Sequence, residues 1–215
     1  MVKTLDFTKQ IFKGRTIYRI LFNWEVKKNC YDLKGKTLDL AAGSKASYYE
    51  YLSPNLEIIK TDCKNGKGID KIVDFNQILP FEDNFFDNIL FFNALYIVED
   101  RVKLLKEMKR ILKSGGKIFI ASPFIANEMP EPHDYCRLTY EGLKKEFKEA
   151  GFENFDIKRF GERFSCAVYL LHPLLMFNIV RFFVYGFSLF FDQLIPPNIK
   201  KKYPTPLGYF CILEK

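Results

Sequence analysis

The chain has 215 residues, of which 48% are hydrophobic and 27% charged, and this composition excludes a disordered protein and allows one substantial core. The formal net charge of +7 fits nucleic acid, an acidic substrate or an anionic membrane surface, and equally a solvated surface rich in lysine. The five cysteines show no CxxC pair or metal-ligand spacing and the N-terminus no signal-peptide pattern, which predicts a cytoplasmic protein with reduced thiols and no metal site.

Residues 1–35 are predicted to form a helical extension before the first strand. Ile17, Ile20, Leu21 and Trp24 recur at helical spacing, which indicates an amphipathic helix. A helix that packs on the flank of the domain explains this pattern. A lid over a bound ligand is the alternative.

From residue 36 to residue 163, strand and helix patterns alternate and predict the core domain. The predicted strands are 37–40, 56–61, 71–74, 86–92, 117–122 and 155–160, with a seventh at 208–213. Helices are predicted over 46–52, 98–112 and 139–150, and Ser114-Gly115-Gly116 is predicted to end the second of them. Regular alternation predicts an α/β protein with a doubly wound, mostly parallel sheet of seven strands and helices on both faces.

Residues 164–206 interrupt this alternation before the final strand segment, 207–215. The stretch is strongly apolar but broken by Pro173, Arg181 and Gly186, which argues against a bilayer-spanning helix and predicts a helical insert. Three roles fit the insert: a cap over the substrate side, a homodimer interface, or a peripheral membrane contact through 164–202. The cap is the first interpretation, and Lys200-Lys201-Lys202, close behind the apolar residues, would also suit a membrane contact.

The stretch 37–46 carries the strongest functional signal. The small residues from Ala41 to Gly43 follow a short apolar strand and let backbone approach a ligand closely. Asp39 precedes this turn, and Asp62 follows Gly43 by nineteen residues. A strand, a small-residue turn and an acid about twenty residues further on are typical of a nucleotide or nucleoside site.

Two ligand classes fit such a turn. The pyrophosphate of a dinucleotide is disfavoured by nearby negative charge, so Lys45 suits it and Asp39 does not. S-adenosylmethionine has no phosphate and carries a sulfonium and an ammonium group, both cationic. A carboxylate at the mouth of the turn therefore favours the methyl donor.

Six short motifs then stand in register along the chain: Leu38-Asp39-Leu40-Ala41-Ala42-Gly43-Ser44, Asp62, Asp74, Leu79-Pro80-Phe81, Phe86-Asp87 and Leu112-Lys113-Ser114-Gly115-Gly116. In order and spacing they resemble the class I S-adenosylmethionine-dependent methyltransferases, and among these the type 11 methyltransferase domain group. The resemblance covers about 36–160, and the last strand fits the same Rossmann-like fold. It implies a methyltransferase with S-adenosylmethionine as its cofactor.

The resemblance also implies which residues bind the donor. Asp39 would bind the methionyl amino group, directly or through water, while Ala41 and Gly43 would line the methionine with backbone. Asp62 would accept hydrogen bonds from the ribose hydroxyls. The family usually has Gly in place of Ala41 and often a small residue in place of Lys45, which should point to solvent or toward an acidic substrate.

Four further positions are implied around the adenine and the pocket. Asp74 and Phe75 would flank the adenine, with the acid accepting from its amino group. Asn93 and Leu95 would close the donor pocket after the fourth strand. Many relatives carry Leu-Glu-His-Val there, whereas this chain has Leu95-Tyr96-Ile97-Val98 and lacks that His.

His133 is the candidate general base for the acceptor. It lies in the loop after the fifth strand, in a Pro-His-Asp-Tyr-x-Arg-x-Thr passage that resembles sugar- and polysaccharide-associated relatives. In one interpretation Asp134 orients His133 as the base. In the other, Asp134, Arg137 and Thr139 tie the loop and cap the next helix, and His133 is merely exposed.

These features predict methyl transfer to a small or lipid- or polysaccharide-linked acceptor, with a sugar hydroxyl as the specific hypothesis. An RNA-modifying methyltransferase is the alternative that the net charge suggests. The sequence shows no appended RNA-binding module, however, and the apolar insert is poorly suited to contact an RNA phosphate backbone. Nucleic acid is therefore the less favoured partner. A donor-binding protein without catalysis is the third reading, suggested by the missing His and Gly.

Overall fold

A seven-stranded sheet forms the centre of the computed structural model, which describes residues 2–44, 46–129 and 133–215. Its order is β3-β2-β1-β4-β5-β7-β6. The strands are β1 (Lys36–Asp39), β2 (Glu57–Asp62), β3 (Lys71–Ile72), β4 (Phe86–Phe92), β5 (Leu112–Pro123), β6 (Asn154–Phe160) and β7 (Gly208–Glu214). β7 runs antiparallel to β5 and β6, whereas the other pairs are parallel. The predicted doubly wound, mostly parallel fold is confirmed.

Helices cover both faces of the sheet. They are α1 (Val2–Phe12), α2 (Ile17–Cys30), α3 (Arg101–Ile111), α4 (Tyr140–Glu149), α5 (Arg163–Leu170), α6 (Asn178–Leu194) and α7 (Pro197–Lys202), with 3-10 turns at Ser47–Tyr51, Leu95–Ile97 and His172–Leu174. β4 shows why two layers are needed, because alternate side chains of a strand point to opposite faces. Ile89 and Phe91 join the apolar cluster under α3 and α4, while Leu90 and Phe92 join the cluster under α2 and α6.

The end of α3 differs from the prediction. The helix ends at Ile111, and Leu112 already pairs with Phe86 at the start of β5. The Gly115 N–H donates to the carbonyl of Lys215 at 2.9 Å. Ser114-Gly115-Gly116 thus lies within a strand and does not end the helix, because pairing with distant segments extends β5 toward its N-terminus.

The insert before β7 contains α5, the 3-10 turn His172–Leu174, α6 and α7. It packs on the face that carries the N-terminal helices, with α5 against α2 and α6 against α1. Among the helices of the described residues, none has the length and apolar character needed to cross a membrane.

Asp6 anchors the N-terminal extension. Its Oδ2 accepts from Gln10 Nε2 and from Trp24 Nε1, and its Oδ1 accepts from the hydroxyl of Tyr51, each at 2.8 Å. One carboxylate therefore connects α1 to α2 and to the 3-10 turn that follows β1. Hydrogen bonds to a charged acceptor are stronger than neutral ones, so these contacts fix the extension on the core.

We expect Asp6→Ala to lower the free energy of unfolding by about 2 kcal/mol, since hydrogen bonds to charged groups contribute about 1.5–3 kcal/mol each and do not add fully within one network. Urea unfolding followed by circular dichroism measures the change. The control is Asp32→Ala, at an exposed acid after α2, which should stay within about 0.5 kcal/mol of the parent. If both variants were equally stable, apolar packing alone would hold α1.

Candidate active site

The carboxyl ends of β1 and β4 lie side by side where the strand order reverses, which is where open α/β sheets bind ligands. Asp39 is the last residue of β1, and Asn93 directly follows β4. Asp62 is the last residue of β2, the other neighbour of β1. The fold thus brings these three predicted site residues to one edge of the sheet.

The turn after β1 is held by both neighbouring strands. The Leu40 N–H donates to the Leu90 carbonyl and the Ala42 N–H to the Thr61 carbonyl, each at 2.9 Å. Gly43 adopts a φ of +63°, and a methyl group at its Cα would meet no atom of the described residues within 4 Å. The space over the turn is therefore open, and a ligand can approach the backbone there.

Asp39 is fully buried and only half satisfied. Its Oδ2 accepts from the hydroxyls of Tyr48 and Tyr49 at 2.6 Å each, whereas its Oδ1 has no hydrogen-bond partner among the described residues. Burial raises the pKa of this carboxyl to about 6, although the two tyrosines and the charge of Lys60 lower it. A buried carboxylate oxygen without a hydrogen-bond partner destabilises the folded protein. The site therefore favours a ligand that brings a hydrogen-bond donor or a positive charge.

The two tyrosines were not predicted as site residues. They lie in the 3-10 turn Ser47–Tyr51, where the sequence pattern predicts a helix over 46–52. Burial and then the charge of Asp39 raise the pKa of both phenols, so they remain neutral donors. Two adjacent tyrosines give no sequence signal for this role, because their partner lies nine and ten residues earlier across a turn. Lys45 lies outside the described residues, so its predicted direction is not tested.

The predicted ribose and adenine residues follow along the same edge. Asp62 accepts from the Gly43 N–H at 2.9 Å through Oδ2 and from the Lys64 N–H at 3.1 Å through Oδ1. Asp74 is exposed after β3 and accepts from the Asn76 N–H at 2.9 Å. Phe75 is buried, with its ring edge-on to Phe91 at 5.6 Å, so its backbone rather than its ring is available to an adenine. The adenine role stays a prediction.

Asn93 adopts a φ of +56° and accepts a hydrogen bond at 2.5 Å from the hydroxyl of Tyr18 on α2. Its own N–H donates to the Ala121 carbonyl at 2.8 Å. The side chain of Leu95 is buried in the core next to it. Because Tyr18 reaches over the end of β4, α2 both packs on the flank of the domain and contributes to the site.

A cavity of about 370 Å³ lies beside Asn93, at the ends of β4 and β5. Three tyrosines line it, together with two arginines and smaller residues: Tyr18, Tyr96, Tyr169, Arg15, Arg19, Gly14, Thr16, Pro123 and Met129. No acidic residue belongs to this lining in the described part of the chain. The cavity is therefore aromatic and positively charged, which suits a planar acceptor with acidic or electron-rich groups.

The loop after β5 is tied by Asp134. Arg137 donates to both oxygens of Asp134, with Nη2 at 2.5 Å from Oδ2, and the Met129 N–H donates to Oδ2 at 2.9 Å. The guanidinium of Arg137 also lies 4.6 Å from the ring centre of Tyr96, a residue of the cavity wall. Asp134 thus holds the loop against the cavity.

His133 is exposed, and its ring stacks on Tyr135 with centroids 5.3 Å apart. It lines a cavity of about 510 Å³, and the charged residues Asp134 and Arg137 line the same cavity. Thr139 caps α4 by accepting from the Gly142 N–H at 3.2 Å. The contacts of Asp134 and Thr139 are those of the loop-tying interpretation, and the catalytic role of His133 stays a prediction. No group of three or more His, Cys, Asp or Glu residues that could hold a metal ion occurs in the described ranges.

Comparison with known families agrees with this geometry. The family described as "Methyltransferase domain" matches residues 35–120. A demethylmenaquinone methyltransferase of Corynebacterium glutamicum is 33% identical over 93 residues, which are 40% of this chain and 40% of that protein. The chain therefore aligns with about two-fifths of the length of the curated relatives that it matches.

Solved structures extend the likeness to nearly the whole chain. A SAM-dependent methyltransferase from Archaeoglobus fulgidus has a TM-score of 0.59 at 16% identity, covering 92% of this chain and 94% of that chain. A phosphoethanolamine N-methyltransferase of Haemonchus contortus, solved with phosphomonomethylethanolamine and S-adenosylhomocysteine, has a TM-score of 0.56 at 16% identity, covering 90% and 52%. Residues 35–120 thus match the methyltransferase domain family, and the chain as a whole shares the α/β fold of these solved methyltransferases.

Proposed function

We propose that this chain transfers the methyl group of S-adenosylmethionine to a small-molecule acceptor bound in the cavity beside Asn93. The observation that carries the proposal is that Oδ1 of Asp39, at the end of β1, is buried and has no partner among the described residues. The turn that follows Asp39 has open space over Gly43. A cationic ammonium group would donate a hydrogen bond to this oxygen and balance the negative charge of the carboxylate. A pyrophosphate would instead add negative charge to it.

The remaining donor contacts follow the order of the strands. Asp62 would exchange its contact with the Gly43 N–H for the ribose hydroxyls, and Asp74 with the backbone of Phe75 would flank the adenine. Bound S-adenosylmethionine supplies an electrophilic methyl group. Methyl transfer is an in-line displacement, so the main task of the side chains is to align donor and acceptor across the ends of β1 and β4.

The acceptor cavity favours an aromatic ring over a flexible chain. Tyr18, Tyr96 and Tyr169 contribute aromatic side chains to its wall, while Arg15 and Arg19 contribute positive charge. The relatives named demethylmenaquinone methyltransferase are consistent with a ring acceptor of this kind, and a lipid-linked ring is included in the proposal. A sugar hydroxyl is the second candidate, supported by the polar cavity that contains His133.

For that second candidate, His133 is the proposed general base, and Asp134 positions its loop through Arg137. A hydroxyl needs its proton removed during transfer, and a positioned base contributes about 10²- to 10⁴-fold to such a rate. A ring carbon or another electron-rich acceptor depends less on a base. The His133 variant therefore separates the two acceptor classes.

The first test is donor binding. Asp39→Asn should weaken binding of S-adenosylhomocysteine at pH 7.5 by about 10- to 100-fold, as expected for a lost hydrogen bond between charged groups. In the parent protein the affinity should weaken below pH 6, because the ligand's ammonium needs the ionised carboxylate. Isothermal titration calorimetry measures both effects, with Asp32→Asn as the exposed control. Equal affinity of all three proteins would refute the assignment of Asp39.

The carboxyl of Asp39 should also make the free energy of unfolding of the unliganded protein depend on pH. Its folded pKa of about 6 lies above the ordinary 3.8, so the folded state holds the proton more tightly and loses stability as pH rises between these values. Between pH 4 and pH 7, the stability of Asp39→Asn relative to the parent should increase by about 2 kcal/mol. Urea titrations at several pH values measure this difference. If this stability difference did not change with pH, the pKa of Asp39 would be the same in the folded and the unfolded protein.

The activity test uses isotope-labelled S-adenosylmethionine with fractionated cell extract. We expect label in the small-molecule or lipid fraction and not in RNA, and its loss with Asp62→Ala. Label in RNA would support the nucleic-acid alternative, and donor binding without transfer to any fraction would support a non-catalytic protein. With the acceptor identified, unchanged turnover of His133→Ala would eliminate His133 as a base and favour the ring acceptor.

A further inference from the structure

Helix α6 exposes more apolar surface than a helix packed on a core usually does. Its fully buried side chains are Tyr185, Ser188 and Asp192. The half-buried Phe182 and Leu189 pack beside them against the core. Its outward side carries a stripe of large apolar side chains at helical spacing: Ile179, Val180, Phe183, Phe187, Phe190, Phe191 and Leu194, all exposed. A globular helix normally buries the apolar side and exposes the polar one.

Directed hydrogen bonds fix α6 in this orientation. Asp192 accepts from the Phe164 N–H at 2.8 Å and from the Ser165 N–H at 3.1 Å, at the start of α5. The hydroxyl of Tyr185 lies 2.7 Å from Nδ1 of His172. Rotation of the helix to bury its phenylalanines would break these contacts and leave buried polar groups unpaired.

The exposed stripe continues into the segment before α6. Leu170, Leu171, Leu174, Met176 and Phe177 are all exposed, with 76% and 77% of the accessible surface of Leu174 and Met176 retained. We call the exposed apolar residues from Leu170 to Leu194 the apolar face. Large exposed apolar patches of this kind are typical of surfaces that bind a membrane or another protein.

The charges around the apolar face are positive. Asp192 is the single acid in the sequence from 164 to 206, and it is buried by its contacts with α5. Lys201 and Lys202 are exposed just beyond the C-terminal end of α6, on α7. A second copy of the chain would bring like charges together, whereas an anionic lipid surface complements them.

We propose that the apolar face binds the surface of an anionic phospholipid bilayer. Helix α6, about 25 Å long, lies in the plane of the interface with its phenylalanines among the acyl chains. The lysines of α7 lie at the level of the headgroups. The protein thus binds the membrane from one side without crossing it.

Vesicle co-sedimentation tests the proposal with phosphatidylcholine vesicles that contain either no or one-quarter phosphatidylglycerol. The parent protein should bind the anionic vesicles, and binding should fall as salt is raised from 50 to about 500 mM. The triple variant Phe183→Ser, Phe187→Ser and Phe190→Ser should bind about tenfold less tightly or worse. Lys201→Glu with Lys202→Glu should remove the preference for anionic vesicles.

The matched control is Ile78→Ser, at an exposed apolar residue outside the insert, which should leave vesicle binding unchanged. Circular dichroism and binding of S-adenosylhomocysteine show that each variant is folded, independently of any methyl transfer. The proposal fails if the parent stays in the supernatant with anionic vesicles at low salt. It also fails if the parent is a stable dimer that the phenylalanine substitutions convert to a monomer, since the face would then be a contact between copies.

Discussion

The buried carboxylate of Asp39, held by Tyr48 and Tyr49, sets the geometry on which the site depends. Its two hydrogen bonds of 2.6 Å draw the 3-10 turn Ser47–Tyr51 over the end of β1. The turn of small residues is then left open on the side of Gly43. The protein thereby retains an unfavourable feature, a half-satisfied buried acid, at the place where a cationic ligand would stabilise it.

The same 3-10 turn links the site to the periphery. Tyr51 donates to Asp6, and Glu50 forms ion pairs with Lys9 and Lys13, so α1 is fastened to the segment that holds Asp39. Phe7 of α1 in turn packs against Phe182 of α6, with ring centres 5.8 Å apart. The N-terminal extension therefore lies between the 3-10 turn that holds Asp39 and the insert, and it contacts both.

The sequence predicted those features that are encoded locally. The mainly apolar run 86–92 has the bounds of β4, and the acids at the ends of the first two strands lie at one edge of the sheet as expected. Features that depend on distant partners were missed. Tyr18 meets Asn93 across 75 residues, and β5 begins early because Leu112 pairs with Phe86.

In the insert, the sequence pattern predicts a helix but not its orientation. Apolar residues at helical spacing predict a helix with one apolar side, but not whether this side faces the core or the outside. In α6 the answer depends on Asp192 and Tyr185, whose partners Phe164, Ser165 and His172 belong to neighbouring segments. The burial of a polar residue, rather than the exposure of apolar ones, is thus what decides the orientation.

The last helical turn of α5 joins two of these surfaces. Tyr169 lines the cavity beside Asn93, and the next residue, Leu170, belongs to the apolar face. The wall of the cavity and the edge of the face are therefore one residue apart. For an acceptor with a hydrocarbon tail, the relevant concentration at such a site would be its surface density in the lipid rather than its solubility in water. Diffusion in two dimensions, rather than escape into the aqueous phase, would then supply the acceptor.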